Sequence, residues 1–362
     1  DFYKACRAAS ILGTLQAGYT DFKFLSDTSK KIFDREALLG VSITGWMNNP
    51  DILFDEKILQ KGAEIVKEVN KEMAAIIGIN PAARTTCVKP SGNASVLLQT
   101  ASGIHAEHSN MYIRNVQMNK ESEITQAIMK TNPYMVEDSV WSAGGTDVVV
   151  SFPILPKKGS MYKDDLLGVK HLELVKKAQK HWVEAGTNED LCADKGVRHN
   201  VSNTIIVDNW EEVEKYVFEN RHSFAGISFL AMTGDKDYNQ APNTAVITAK
   251  DMVKKYGNAA VFASGMVVDA LKCFNNLWDA CSTAKGFGED LSLESSENAM
   301  KRDWIRRFGK FADNYLKSDT LLAEHCLKDA YLLHKWNKIQ STLKTVDWKE
   351  DIKERKYTDV DT

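Results

Sequence analysis

Short β-branched runs alternate with longer stretches in which apolar residues recur every three to four positions, and this alternation limits the chain more than any other feature. Each short run reads as a strand and each long stretch as a crossover helix, which together build a parallel sheet of the α/β class. Five strands are predicted: Gly40–Thr44 (GVSIT), Arg84–Lys89 (RTTCVK), Val148–Phe152 (VVVSF), Val201–Val207 (VSNTIIV) and Phe224–Leu230 (FAGISFL). Helices are predicted between them, including Ile58–Ile77, with Ile58, Ala63, Val66, Val69, Met73 and Ile77 at helical spacing, and Leu172–Glu184. The chain opens inside a further helical pattern carried by Ala5, Ala8, Ile11, Leu12 and Leu15, with no N-cap before it, as an interrupted element would. We therefore expect a fragment of a longer protein.

After Gly234 the strands give way to helical patterns around Asp251–Tyr256, Ala259–Trp278, Glu297–Leu316 and Leu321–Ile339, followed by a charged end, Lys349–Thr362. Two regions follow from this change, residues 1–234 with the α/β pattern and an all-helical region over 235–362. The net charge of −3 is spread over mixed Lys and Glu helices, so no basic field is available to a nucleic acid. No apolar run reaches the roughly 18 to 20 residues needed to span a bilayer, and a cytoplasmic location is expected. The six cysteines, Cys6, Cys87, Cys192, Cys273, Cys281 and Cys326, form no Cys-x-x-Cys pair and no zinc-ligand spacing, so they read as reduced core residues. Cys87 lies on a predicted strand between Thr85, Thr86 and Val88 and is read in the same way.

The segment that carries chemistry is Arg84–His108, RTTCVKPSGNASVLLQTASGIHAEH. Its strand runs into Pro90-Ser91-Gly92, and Asn93–Gln99 reads as the first turns of a helix. A strand, tight turn and helix start presents unpaired backbone N–H groups at the positive end of a helix dipole. Ser91, Gly92, Asn93, Ala94 and Ser95 are therefore the candidate phosphate-binding residues, with an ordinary capped connection as the plain alternative. The order is neither Gly-x-x-x-x-Gly-Lys-[Ser/Thr] nor Gly-x-Gly-x-x-Gly. His105, Glu107 and His108 could be imagined as metal ligands, but no third cluster stands nearby in sequence, so they read as a satisfied or substrate-adjacent pair and no metal site is assigned. His199 and Asn200 sit before a strand as sheet-end or turn residues.

The stretch KPSGNASVLLQTASGIHAEH, with its Gly103-Ile104 pair, resembles the substrate-phosphate loop of ribonucleotide reductases. Blocks Ala8–Phe22, Arg35–Trp46, Gly78–Ala83, Glu137–Asp147, Arg198–Ile205 and Gly234–Pro242 resemble, in matching order, the adenosylcobalamin-dependent group. The resemblance implies the second half of a ten-stranded α/β barrel, five parallel strands with crossover helices, followed by the helical region. It implies ribonucleotide as substrate, adenosylcobalamin as cofactor, a thioredoxin-like reductant, and the N-terminal half of the same enzyme as partner. The radical cysteine and its neighbours would precede Asp1, so no catalytic residue is assigned here. Gly226–Leu230 carries no oxidisable tyrosine pair, which favours a radical made locally by a cofactor. The Gly234–Pro242 block resembles the triphosphate-reducing members. Two other readings stay open: a split-enzyme fragment with only a structural or binding role, and an unrelated phosphate-binding α/β barrel enzyme.

Overall fold

The computed structural model describes residues 1–232, 238, 240–257, 302 and 320–347. In chain order its main elements are α1 (Phe2–Ala17), α2 (Asp27–Glu36), β1 (Val41–Ser42), α3 (Pro50–Leu53), α4 (Glu56–Ile77), β2 (Thr86–Cys87), α5 (Gly92–Leu97), β3 (Tyr112–Asn119) and α6 (Glu123–Thr131). There follow β4 (Val136–Asp138), β5 (Asp147–Ile154), α7 (Gly168–Ala178), β6 (Thr204–Val207), α8 (Trp210–Glu219), β7 (Ser228–Ala231), β8 (Asn243–Ala245), α9 (Ala249–Tyr256) and α10 (Thr320–Thr342). The chain divides into two compact units, both discontinuous: residues 1–110 with 156–233, and residues 111–155 with 234–362. The change of character read at residue 234 coincides with one unit boundary. Residues 111–155, however, leave the first unit and fold with the second.

The first unit holds the parallel array. β1 pairs with β2 and β6 with β7, both in parallel, and a single parallel bridge between Val88 and Val201 joins the two pairs. Four short parallel segments thus run side by side in the order β1, β2, β6, β7, where five were expected. Val148–Phe152 is indeed a strand, but it belongs to β5 in the second unit. There it pairs antiparallel with β3 along eight residues, from Tyr112 opposite Ile154 to Asn119 opposite Asp147. A β-branched run specifies extended backbone, while its partner and direction are set by which complementary strand the tertiary fold brings beside it. β3, whose Tyr-Ile-Arg-Asn-Val-Gln-Met-Asn mixes polar and apolar residues, had no clear signal of its own. The second unit's sheet is completed by β4 and β8 in the order β4, β5, β3, β8. Asn243–Ala245 is therefore a strand inside the region expected to be all helix.

α4 crosses from β1 to β2. Asp55 caps it by accepting from the Ile58 N–H at 2.9 Å, and Gly78 ends it at φ 76°. Its buried stripe, Leu59, Gly62, Ala63, Val66, Asn70 and Ala74, packs on α1. The face of α1 that is buried is small and polar, Cys6, Ser10 and Thr14, whereas Leu12 and Leu15, expected to be inside, are exposed. Close approach explains the choice. A Cβ on Gly62 would meet the Phe2 ring at 2.7 Å, and hydrogen bonds fill the seam: Ser10 Oγ to Val66 O at 2.8 Å and Asn70 Nδ2 to Thr14 Oγ1 at 2.9 Å. The predicted helix Leu172–Glu184 is present as α7 continued by a π-helical segment, Gln179–Glu184. The unit's core gathers Trp46, Met47, Leu59, Val88, Ile104, Leu172 and Trp182. The second unit has its own small core of Ile128, Met135, Val148, Val150 and Ile339.

Asp251–Tyr256 and Leu321–Ile339 are helical as read, within α9 and α10. Ala259–Trp278, Glu297–Leu316 apart from Arg302, the end Lys349–Thr362, and Cys273 and Cys281 lie outside the described residues. Among the described residues no helix is long and apolar enough to cross a membrane.

Candidate functional site

β2 delivers the chain to the turn. Val88 donates its N–H to Asn200 O at 3.1 Å and accepts from Ser202 N at 2.8 Å, and the Lys89 N–H donates to Ser42 Oγ at 2.9 Å, so the strand is held on both sides. The chain then leaves the sheet at Pro90 and enters α5 at Gly92, with Ser91 in the N-cap position. The Ser91 side chain does not cap the helix, because its hydroxyl is bonded to Thr44 Oγ1 at 2.6 Å. Ser95 is buried, and its hydroxyl donates back to Ser91 O and to Gly92 O, the latter at 3.0 Å. The hydroxyls of Ser91 and Ser95, two of the candidate phosphate-binding residues, are thus engaged within the loop. What the turn presents is backbone: the N–H groups of Gly92, Asn93 and Ala94, in the first turn of a helix where no intrahelical acceptor exists. The space at Gly92 is open, with nothing within 4 Å of where a Cβ would stand.

The far limb of the loop is fixed just as firmly. Gly103 sits at φ 53°, and a Cβ there would come within 3.0 Å of Lys89 O, so backbone conformation and close approach both demand glycine. Two residues from the β1 exit, which motif reading had passed over, hold the limbs together. Thr44 Oγ1 donates to Ala101 O at 3.0 Å and accepts from Gly103 N at 2.9 Å. Asn48, buried, accepts from Thr100 Oγ1 at 2.6 Å and Ala101 N at 2.8 Å, and its amide donates to Glu107 Oε1 at 2.7 Å. Ser102 Oγ closes the loop onto Ser91 O at 3.1 Å. Gly45, at φ 76° with Thr100 Oγ1 2.2 Å from a notional Cβ, is the only local hint of this packing in the β1 exit.

The histidines and the glutamate of this loop are engaged in contacts within the first unit. Glu107 is buried against Asn48, His105 Nδ1 lies 3.0 Å from Ser102 O, and His108 Nδ1 faces Lys163 Nζ at 3.4 Å. Burial holds the His105 pKa below its ordinary value. His171 of α7, buried, meets Ile104 O with Nε2 at 3.0 Å; burial pushes its pKa down to about 4, so the ring is neutral and Nε2 is the donor. His199 Nδ1 meets Thr86 O at 3.1 Å, and the Asn200 main chain accepts from Val88 while its buried side-chain Oδ1 has no partner. Among the described residues no group of three His, Cys, Asp or Glu side chains is placed to hold a metal ion. The thiols of Cys6, Cys87, Cys192 and Cys326 are buried, and burial raises the pKa of each, to about 11 for Cys6 and Cys326. Such thiols stay protonated and unreactive at neutral pH.

The geometry is thus a parallel α/β array whose second strand empties into the start of a short helix. The comparisons with known proteins narrow it. No protein-family model matches the chain. A probable adenosylcobalamin-dependent ribonucleoside-triphosphate reductase of Dictyostelium discoideum is 28% identical over 190 residues, 51% of this chain and 24% of the relative. The adenosylcobalamin-dependent ribonucleoside-triphosphate reductase of Euglena gracilis is 23% identical over 224 residues, 60% of this chain and 28% of the relative. The crystal structure of a B12-dependent, class II ribonucleotide reductase superposes on 68% of this chain and 36% of its own, with a TM-score of 0.57 and 16% identity. The chain thus spans about a quarter of the length of the curated relatives it matches, and they bear the name of the group its motifs resemble.

Proposed function

We propose that this chain supplies the substrate-phosphate-binding part of an adenosylcobalamin-dependent ribonucleoside-triphosphate reductase, working in the cytoplasm. The observation that carries the reading is the Pro90–Ala94 turn. Its outward face is a row of helix-start N–H groups over open space, braced from behind by Thr44, Asn48, Ser95 and Ser102. Fixed donors of this kind bind a polyphosphate tail without reorganising, and they position a ribose for chemistry performed elsewhere.

In this reading the reaction is reduction of a ribonucleotide, probed best with triphosphates, and adenosylcobalamin supplies the initiating radical when bound to the whole enzyme. The described thiols are all buried, and in this reading most of the adenosylcobalamin contacts lie on the other half of the enzyme. Radical formation and the reducing cysteines are accordingly placed on the N-terminal half of the enzyme, with a thioredoxin-like protein as reductant. The need for that half is supported by what the first unit leaves in water. Parallel strands are ordinarily covered on both faces, yet every residue of β7 is exposed, with Leu230 at 57%, and Leu97 at the end of α5 and Leu98 just after it are exposed at 83% and 63%. The ten-stranded barrel, with this unit in its second half, would cover them.

The test uses Gly92→Asp, which places a carboxylate in open space at the mouth of the turn. In the enzyme reconstituted with its N-terminal half, the Michaelis constant for the ribonucleoside triphosphate should rise at least tenfold, since an anion now competes for the N–H groups. An unchanged Michaelis constant would refute the assignment.

A further inference from the structure

One side chain behind the phosphate turn has its bonding capacity completely used. Asn48 is 5% exposed. Its amide offers two lone pairs and two N–H donors, and all four are engaged. Oδ1 accepts from Thr100 Oγ1 at 2.6 Å and from the Ala101 N–H at 2.8 Å, while Nδ2 donates to Glu107 Oε1 at 2.7 Å and to Ser160 Oγ at 3.1 Å. The orientation is forced, because a flipped amide would set its oxygen against the Glu107 carboxylate and its NH2 against the Ala101 N–H. Aspartate lacks the donors, and glutamine carries the same amide one methylene too far.

The two partners of Nδ2 stand beside the places where the chain changes units. It leaves the first unit after Asn110 and returns at Pro156, so Glu107 lies three residues before the exit and Ser160 four after the return. Inside the first unit the outgoing and returning segments are clamped together. The Glu107 N–H donates to Met161 O at 3.0 Å, the Lys163 N–H donates to Glu107 O at 2.9 Å, and the Met161 N–H donates to Met47 O at 2.8 Å. Ser160 Oγ gives its own hydrogen to Lys157 O at 2.7 Å, which leaves it as the acceptor for Asn48. Glu107 and Ser160 are both buried, so a bond lost here is not remade to bulk water.

From the clamp to the turn the path is short. Asn48 holds Thr100 and Ala101, Thr44 Oγ1 ties Ala101 O and the Gly103 N–H to Ser91 Oγ, and Ser102 Oγ closes on Ser91 O. We infer that Asn48 is a positioning residue for the phosphate turn, and that through it the clamp at Glu107 and Ser160 sets the turn's affinity for the phosphates of a ribonucleotide. The inference rests on the proposed function and adds to it the side chain that relays the state of the chain crossings to the substrate. A loosened clamp releases the Thr100–Gly103 limb and with it Ser91; a closed clamp keeps the helix-start N–H groups aimed. By linkage, phosphate bound at the turn tightens the clamp to the same extent.

Ser160→Ala removes one bond at the clamp and leaves every bond of the turn in place. Amide hydrogen exchange of the whole chain without ligand should show the Ala101 and Gly103 N–H groups exchanging about tenfold faster in this variant, the size of one lost buried hydrogen bond. In the enzyme reconstituted with its N-terminal half, the Michaelis constant for the ribonucleoside triphosphate should rise about threefold with kcat nearly unchanged. Ser160→Thr, which keeps the hydroxyl, should restore both readings. Asn48→Asp keeps the acceptors but sets a carboxylate against Glu107, and it should raise the Michaelis constant by about tenfold or more. Unchanged exchange in Ser160→Ala would overturn the inference, and so would a fall in kcat at constant Michaelis constant, the mark of a merely structural role. If Gly92→Asp raises the Michaelis constant and Ser160→Ala does not, the inference fails alone; if neither does, the substrate reading fails with it.

Discussion

Acid should unfold the first unit partly through one residue, His171. Its ring is buried, donates to Ile104 O at 3.0 Å, and keeps a pKa pushed down to about 4, first by burial and further by the neighbouring His105, against the opposing effect of the Ile104 carbonyl. In the unfolded chain the same ring titrates at its ordinary 6.5. The unfolded state therefore takes up the proton first as pH falls, so the contribution is intact above about pH 6.5 and is lost between there and pH 4. Each pH unit in that window costs about 1.4 kcal/mol, about 3 kcal/mol over the whole descent and about 2.5 kcal/mol by pH 4.5. That is a large part of the 5 to 15 kcal/mol that usually holds a domain together. His171→Gln retains an N–H donor for Ile104 and does not titrate. Urea unfolding followed by the fluorescence of the buried Trp46 and Trp182 should show the wild type losing about 2 to 3 kcal/mol more than the variant between pH 7.5 and 4.5. The histidines other than His105, which is coupled to His171, are common to both proteins and cancel in that difference. Equal losses in the two would refute a neutral, donating His171.

Two further outcomes follow from the same geometry. Gly103→Ala should destabilise the first unit by about 1 to 3 kcal/mol, since it imposes a left-handed backbone on alanine and presses a methyl group on Lys89 O; the urea midpoint reads it, and it should also weaken triphosphate binding. Leu230→Lys on the exposed β7 should leave the thermal midpoint of the lone chain within about 1 °C yet lower its affinity for the N-terminal half, measured by sedimentation velocity; undiminished association would remove β7 from that interface.

Much of this protein is written locally. The capped helix α4, the strands around Val41, Thr86, Ile205 and Phe229, and the helix start at Gly92 all depend on backbone preferences acting over a few residues, and periodicity and turn chemistry report those directly. The burial of Cys87 follows from its strand neighbours in the same way. Other features depend on residues far apart in the chain. Val148–Val150 reads as one more parallel strand until Tyr112–Asn119 lies beside it and reverses its direction. α1 shows an apolar stripe, yet it buries Ser10 and Thr14 because α4 offers Gly62 and Asn70 at close range. Ser91 and Ser95 have the composition of ligand donors, but Thr44 and two carbonyls claim them, and nothing in the PSGNAS run announces Asn48, some forty residues earlier. The Asn48–Ser160 bond spans 112 residues. A side chain's type declares what it can bond to, whereas which partner reaches it first is decided by the packing of distant segments, and that competition exists only in the folded chain.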